Sequence, residues 1–487
     1  MQTHQFQSLH PSLTLLSSSS HSKSILFSVS LLASLSSPHH HSHLEMLSSL
    51  KSHEEGDQED PDPHNHHHQQ RSNPHQPNPP HGLISLSAHA RQLLISCAER
   101  IHCGDLPTAR RTASLLSAAA SPYGDSADRL THQFARALSL RLDSPSRLAS
   151  PSPSAASSSS EALQSSYLSL NQVTPFLRFA HLTANQAILE ALDGCRRIHI
   201  LDFDTSHGVQ WPPLLQAIAE RSNADGPPSI RITGTGTDLS VLRRTGDRLQ
   251  TFAHSLGLQF QFHPLLLPIS STNSSSPSSS TSTSILSTTT TTTTNLTSSS
   301  FQLHPGETLA VNCVLFLHKL LQDQDSRSED DGSRELRAFL QAVKALNPAA
   351  VTVAEREASH NSPIFLQRFM EALDYYTVVF ESLEATLPPR SQERLAVEQV
   401  WLGREIEDII AREGEGRRER HERIARWEGL MRGAGFSNLP LSPFALSQAK
   451  LLLRLHYPSE GYQLQMAGDS IFLGWQNKAL FSVSSWR

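Results

Sequence analysis

Acidic, imidazole and glycine residues cluster after a short apolar run of this 487-residue chain, in the sequence LDFDTSHG. Asp202 and Asp204 could act as a general acid and a general base if their surroundings raised the pKa of one of them. His207 and Gly208 follow directly, and Glu355 comes at the end of a later apolar run. These five residues indicate either a small-molecule groove or, without any ligand, groups that cap helices and tie loops together.

The five residues can meet only if the apolar runs are neighbouring strands of one sheet. Five such runs alternate with amphipathic segments, which predicts parallel βαβ units with right-handed crossovers. Three further strand-like runs end the chain and predict an antiparallel hairpin. The predicted strands are 197–203, 229–236, 258–265, 308–316 and 350–357, and helices are predicted at 209–221, 239–256, 333–346, 362–380, 391–412, 417–434 and 444–454. The predicted fold class is α/β, with a Rossmann-like, methyltransferase-like, mostly parallel sheet.

The methyltransferase fold usually follows its first strand with an acidic residue and three alternate glycines, because the backbone turns tightly beside the cofactor. Here the alternate positions after Asp202 are Asp204, Ser206 and Gly208. Two glycines are missing, and a carboxylate occupies a position where the backbone should approach a cofactor. We therefore expect no cofactor and no enzymatic activity. The alternative is a methyltransferase-like protein that binds a small molecule or keeps weak activity.

Apolar residues recur at helical spacing before the sheet, at 83–142 and 161–193, which predicts a helical cap subdomain. Leucine stripes of this kind are usually core, but they could also form a face for a partner or a dimer. The candidate face comprises Leu93, Leu94, Leu130, Phe134 and Leu138.

Three segments are too polar to bury a core, and we expect them to be disordered. Residues 1–82 contain fourteen of the 27 histidines, and residues 270–300 are Ser or Thr at 25 of 31 positions. Residues 144–160 are mostly Ser, Pro and Ala. A short apolar run at 24–35 is too short to span a bilayer, so no membrane association is expected.

The formal net charge of −6 is unevenly distributed. Residues 1–82 carry −4 of it, which leaves −2 for the remainder. A nearly neutral folded region lacks the positive field that supplies most non-specific affinity for DNA. The run EGEGRRERHERIARWEG at 413–429 mixes both signs, which is typical of a solvated helix face.

Several blocks resemble the plant GRAS family of transcriptional regulators, from residue 83 to the end. The first leucine-rich region is similar to 83–142, and IHILD is similar to the family's Val-His-Ile-Ile-Asp block. The Pro-Phe-Tyr-Arg-Glu block is degraded to SPIFLQRFMEALDYY. The final block is well kept, with Trp427, Trp475 and Trp486 as its structural residues. TPFLRFAHLTANQAILEAL and LDFDTSHGVQWPPLLQA are similar to the Lateral suppressor branch.

The resemblance implies one GRAS domain at 83–487, with an α/β core at 197–487, behind a leader at 1–82. It implies a nuclear regulator that binds DNA-bound transcription factors and other GRAS proteins, as a homo- or heterodimer if the leucine-rich face pairs. DNA association would then be indirect. The Lateral suppressor branch is associated with the initiation of axillary shoot meristems.

Overall fold

The computed structural model describes residues 81–143, 153–221, 226–267, 301–323 and 332–487. In these residues a single sheet contains nine strands. The strands are β1 (Arg197–Phe203), β2 (Ser229–Gly236), β3 (Gln259–Leu266), β4 (Thr308–Val314), β5 (Ala350–Arg356), β6 (Asn438–Leu439), β7 (Tyr462–Ala467), β8 (Ser470–Trp475) and β9 (Lys478–Trp486).

The strand order is β3-β2-β1-β4-β5-β9-β8-β7, with β6 paired to β9. Strands β1 to β5 run parallel, and β9 joins β5 in the antiparallel direction. This arrangement confirms the predicted α/β class with its antiparallel C-terminal strands. After β3 the chain crosses to the other side of β1, so the strand order reverses between β1 and β4. Open α/β sheets form their crevice at the carboxyl ends of strands at such a switch point.

Five helices precede the sheet. They are α1 (His81–His102), α2 (Leu106–Ala119), α3 (Ser126–Asp143), α4 (Pro153–Val173) and α5 (Pro175–Ala191). The later helices are α6 (Trp211–Glu220), α7 (Leu239–Ser255), α8 (Arg334–Ala345), α9 (Phe365–Thr386), α10 (Gln392–Ala396), α11 (Gly403–Ala411), α12 (Ile424–Gly433) and α13 (Pro443–His456). A π-helical segment, Val397–Leu402, joins α10 to α11. None of the helices in the described ranges combines the length and apolar character that a bilayer crossing requires.

Local sequence explains several helix starts. The Asp238 carboxylate accepts hydrogen bonds from the N–H groups of Ser240 and Val241 and so caps α7. Ser442 caps α13 in the same way, immediately before Pro443. These caps satisfy backbone donors that would otherwise lack partners at the first turn.

Two apolar cores lie against the sheet. The larger core packs α1–α5 and α9 against the strands. The smaller core lies around Phe203, whose ring centroid is 4.8 Å from that of Phe339 and 5.2 Å from that of Phe316. Trp427 of α12 and Trp486 of β9 belong to the smaller core, so β9 is buried within the sheet, whereas β7 forms its edge.

The structure corrects two predictions. Disorder across 144–160 is wrong from Pro153 onward, because α4 begins there. The helix predicted at 417–434 begins only at Ile424, and the residues before it are extended and largely buried. The rest of 144–160, the insert at 270–300, and the leader apart from its last two residues lie outside the described residues.

Candidate functional site

The loop after β1 has the backbone shape of a glycine-rich loop. Asp204, Ser206 and Gly208 have φ angles of 66°, 52° and 67°, in the left-handed region that favours glycine. The turn is anchored by Thr205, whose N–H donates to the carbonyl oxygen of Thr235 at 2.9 Å. Two non-glycine residues therefore hold conformations that usually require glycine.

Asp202, at the end of β1, is a buried acceptor that connects three elements. Trp211 Nε1 donates to its Oδ2 at 2.7 Å, and Asn312 Nδ2 donates to its Oδ1 at 2.8 Å. Burial raises the pKa of Asp202 to about 6, and the hydrogen bonds from Asn312 and Trp211 oppose that rise. The carboxylate thus ties β4 and the start of α6 to β1, which is a structural role.

A groove of about 630 Å³ lies over this loop. The Asp204 carboxylate forms an ion pair with Lys319 in its wall. Tyr167 of α4 contacts His207 and Trp401, with ring centroids 5.7 Å and 5.3 Å apart. Burial and the charge of a nearby arginine lower the pKa of His207 to about 4, so its ring is neutral at pH 7. Such aromatic walls with one ion pair could hold a flat, weakly charged group.

The five predicted groove residues separate into two groups. Asp204 and His207 line the groove, and Asp202 lies in the adjoining inner pocket. Gly208 instead packs against α7, where a Cβ atom would lie only 2.6 Å from Thr245 Cγ2.

Glu355 also has a structural position, at the buried end of β5. Its Oε1 accepts hydrogen bonds from the N–H groups of Phe316 and Leu317 at 3.0 and 2.8 Å. Its Oε2 lies 2.7 Å from His318 Nδ1. Glu355 therefore orders the turn after β4 and does not line the groove.

The candidate partner face is mostly inside the molecule. Leu94, Leu130, Phe134 and Leu138 are at most 6% exposed, and Leu93 is partly buried against the same core. These side chains form the contact between α1–α3 and α9, as in the edge-to-face contact of Phe134 with Phe369 at 5.6 Å. They are therefore core residues, which is one of the two interpretations that the leucine pattern allowed. The four buried side chains present no surface to a partner in this conformation.

The three tryptophans of the C-terminal block lie where a structural role requires them. Trp427, Trp475 and Trp486 are each at most 3% exposed. Trp475 packs edge-on against Tyr462 at 4.8 Å, and Trp486 Nε1 donates to Ser484 Oγ at 2.9 Å.

Sequence reasoning missed Tyr167, Lys319 and Trp401 in the groove, and the buried side chains of Glu419 and His421 near it. Tyr167 and Trp401 lie on helices outside β1 and its following loop, so no local sequence pattern predicts that they line the groove. For Glu419 and His421 a signal did exist, because spacing by two residues puts side chains on one face of an extended segment.

Comparison with known proteins identifies the family. The model of the GRAS domain family matches residues 90–487. Protein MONOCULM 1 of Oryza sativa subsp. japonica is 53% identical over 405 residues, covering 82% of this chain and 88% of that protein. Scarecrow-like protein 18 of Arabidopsis thaliana is 46% identical over 429 residues, covering 82% of this chain and 91% of its own length. The crystal structure of SCL7 from Oryza sativa matches with a TM-score of 0.64 and 36% identity, over 82% of this chain and 99% of that one. The chain therefore belongs to the GRAS family of plant transcriptional regulators, within its Lateral suppressor branch.

Proposed function

We propose that this GRAS protein is a nuclear coregulator that binds DNA-bound transcription factors and other GRAS proteins through the surface of α2, α3 and the loop between them. The observation that carries the proposal is the distribution of exposed apolar side chains. Among the described residues, six large apolar side chains are at least 40% exposed, and four belong to α2, α3 and the loop between them. The four are Leu106, Leu115, Tyr123 and Leu140. Apolar exposure concentrated in one part of a chain is typical of a binding surface.

Association with DNA through partners agrees with the charge of the chain. The region after residue 82 carries a formal net charge of only −2. Direct binding to DNA phosphates depends on clustered Lys and Arg and weakens steeply with salt. We expect no binding of a promoter fragment by the isolated protein at low salt. A salt-dependent shift of the free fragment would contradict indirect association.

A non-enzymatic role agrees with the chemistry of the loop after β1. The Asp202 carboxylate already accepts two side-chain hydrogen bonds, and the Asp204 carboxylate is paired with Lys319. Neither group is therefore available as a general base without breaking these contacts. Membership of the GRAS family of transcriptional regulators supports the same role.

The binding surface can be tested with single charge substitutions. We expect Leu115→Asp and Tyr123→Asp, in the full chain, to lose transcription factors recovered by proximity labelling in nuclei. Their melting temperatures should match wild type, because both side chains are more than 65% exposed. Leu455→Asp, on the exposed side of α13, is the matched control and should retain all partners. Unchanged partner recovery by both variants would rule out this surface.

The developmental part of the proposal follows from the Lateral suppressor branch. We propose that the protein acts in the initiation of axillary shoot meristems. A loss-of-function line of the source plant, scored for axillary shoots, tests this role. Normal numbers of axillary shoots would exclude it while leaving the binding surface untouched.

The groove supports a second candidate function, binding of a small molecule. Its aromatic wall and the Asp204–Lys319 pair are the observations that favour it. Calorimetric titration of the full chain with millimolar S-adenosylmethionine should release heat if the methyltransferase-like site still binds its cofactor. Tyr167→Ala should reduce that heat, and a titration without heat would remove S-adenosylmethionine from consideration.

A further inference from the structure

A buried cluster of metal-ligating side chains lies beside the groove, on residues that the proposed function does not use. His318 comes from the turn after β4, and Glu419 and His421 come from the extended segment before α12. One ligand atom from each residue lies within 4.8 Å of the other two. The three residues are 2%, 7% and 1% exposed, so water does not surround them.

The two histidines point the same nitrogen at one oxygen. His318 Nε2 and His421 Nε2 lie 3.3 Å and 3.2 Å from Glu419 Oε2. Despite these distances, neither nitrogen has a hydrogen-bond partner of suitable geometry among the residues that the structure describes. Each nitrogen is thus within ion-pair distance of the carboxylate without forming a well-aligned hydrogen bond, an arrangement that a cation bound between the three side chains would account for.

Two of the three separations between ligand atoms suit a tetrahedral metal ion. Zinc binds His nitrogen and carboxylate oxygen at about 2.0–2.2 Å, which separates neighbouring ligand atoms by about 3.3–3.5 Å. The two separations from Glu419 Oε2 come close to this value. Two histidines and one glutamate form a known zinc ligand set, and such a set leaves one position open.

In both histidines Nδ1 is in contact with another side chain, so Nε2 is the nitrogen that remains to bind a metal. His318 Nδ1 lies 2.7 Å from Glu355 Oε2, and the other oxygen of Glu355 is held by backbone N–H groups. His421 Nδ1 lies 2.9 Å from His360 Nδ1, and the N–H of His360 donates to the carbonyl oxygen of His421. A carboxylate behind a ligating imidazole is a common feature of zinc sites, because it orients the ring.

The segment that carries Glu419 and His421 is anchored independently of the cluster. Arg417 Nη2 contacts Asp323 Oδ1 at 2.6 Å, and Arg420 forms an ion pair with the same carboxylate. Arg417 Nη1 also donates to the carbonyl oxygen of His360 at 2.9 Å. The ligand atoms are therefore brought together by the fold and need not be gathered by the metal.

The geometry points to a Zn²⁺ site formed by His318 Nε2, Glu419 Oε2 and His421 Nε2. The charge of the ion would offset the buried carboxylates of Glu419 and Glu355. Glu419 also lines the groove, so the open fourth position would be taken by water or by a ligand atom at the groove wall.

Metal content of the untagged full chain tests the site. Residues 1–82 contain fourteen histidines, which could bind zinc weakly, so the decisive quantity is a difference between two proteins that both carry them. We expect wild type to contain about one zinc ion more per chain than His421→Ala. Cobalt substituted into wild type should show the visible absorption of a four-coordinate ion, and the same bands should be absent from His421→Ala.

Controls separate metal binding from folding. Glu419→Gln keeps the shape of the side chain and should also lose the ion, whereas His254→Ala, on the exposed side of α7, should keep it. If a ligand variant unfolds, wild type alone decides: removal of zinc with a chelator should lower its melting temperature, and added zinc should restore it. Equal zinc content in wild type and Glu419→Gln would overturn the proposal. The proposal would also be overturned if wild type lacked the cobalt bands and its melting temperature did not change when the chelator was added.

Discussion

At the scale of single residues, the loop after β1 has the backbone conformation of a glycine-rich loop but carries polar side chains in place of two glycines. Asp204 and Ser206 adopt the left-handed conformation that glycine would adopt without strain. The contacts of Thr205 and the ion pair of Asp204 with Lys319 stabilise that conformation. The loop thus has the backbone conformation of a glycine-rich loop at the switch point of the sheet. Its surface instead carries a carboxylate, which is paired with Lys319.

Gly208 should be the residue of this loop least tolerant of a side chain. Its φ is positive, and a Cβ atom would meet Thr245, so Gly208→Ala combines backbone strain with overpacking. We expect a loss of about 2–4 kcal/mol in the free energy of unfolding, measured by chemical denaturation. Gly104→Ala is the control, because Gly104 also has positive φ but open space around it, and it should cost about 1 kcal/mol. Equal losses would mean that the packing around Gly208 relaxes.

His181, a buried residue of α5, should make the fold sensitive to acid. Burial lowers its pKa to about 3, whereas the unfolded chain has the ordinary value of about 6.5. Below pH 6.5 the unfolded state binds a proton that the folded state does not, so stability falls as pH falls. Between pH 7.5 and 5, wild type should lose about 2 kcal/mol more than His181→Gln.

This comparison is made by denaturant titration at several pH values. Exposed His254→Gln is the control and should follow wild type. Parallel curves of unfolding free energy against pH for wild type and His181→Gln would contradict the prediction. They would show that His181 takes up its proton in the folded state at its ordinary pKa.

At the scale of elements, the C-terminal strands complete the core of the parallel sheet. Strand β9 pairs with β5, β6 and β8, and its apolar residues contribute to both apolar cores. Phe481 belongs to the larger core and Trp486 to the smaller one. A strand at the end of the chain therefore connects both faces of the sheet.

Truncation of the tryptophans in these strands should destabilise the fold. We expect Trp475→Ala and Trp486→Ala each to cost about 3–5 kcal/mol in the free energy of unfolding, because each leaves a large cavity. Tyr123→Ala removes an exposed aromatic ring of another element and should cost little. A tryptophan variant that melts like wild type but loses a partner would instead identify an interface residue.

At the scale of the whole molecule, a buried ion pair joins the first helical region to the helices between β5 and β6. Arg129 Nε and Nη2 donate to the two oxygens of Glu398 at 2.7 and 3.1 Å. Both side chains are at most 2% exposed. The pair links α3 to the π-helical segment, 269 residues away in sequence.

Removal of one partner of this pair should destabilise the molecule strongly. Arg129→Met leaves the Glu398 carboxylate buried without its bidentate partner, and we expect a loss of about 3–5 kcal/mol. The double variant Arg129→Met with Glu398→Met should recover part of that loss, because both charges of the pair are removed together and buried Arg394 keeps its ion pair with Glu384. Denaturation of the two single variants and the double variant forms a mutant cycle. Additive losses would indicate that the two side chains stabilise the fold independently.

Sequence patterns alone determined the strands, most helices, the fold class and the family. These features depend on local periodicity and on blocks such as IHILD, so they need no knowledge of which strands are neighbours. The same local reasoning placed Asp202 and Asp204 at the carboxyl end of β1, and both do lie at the switch point.

Tertiary structure alone decided which charged groups are buried and which residues meet. Arg417, Glu419 and His421 belong to a run whose mixed charges predict a solvated helix, yet Asp323 and His318, about a hundred residues earlier, draw that run into the interior. The leucines of α1 and α3 could be core or surface until the packing against α9 was known. Periodicity records the alternation of side chains along one element, whereas burial and ligand geometry depend on the elements that pack against it.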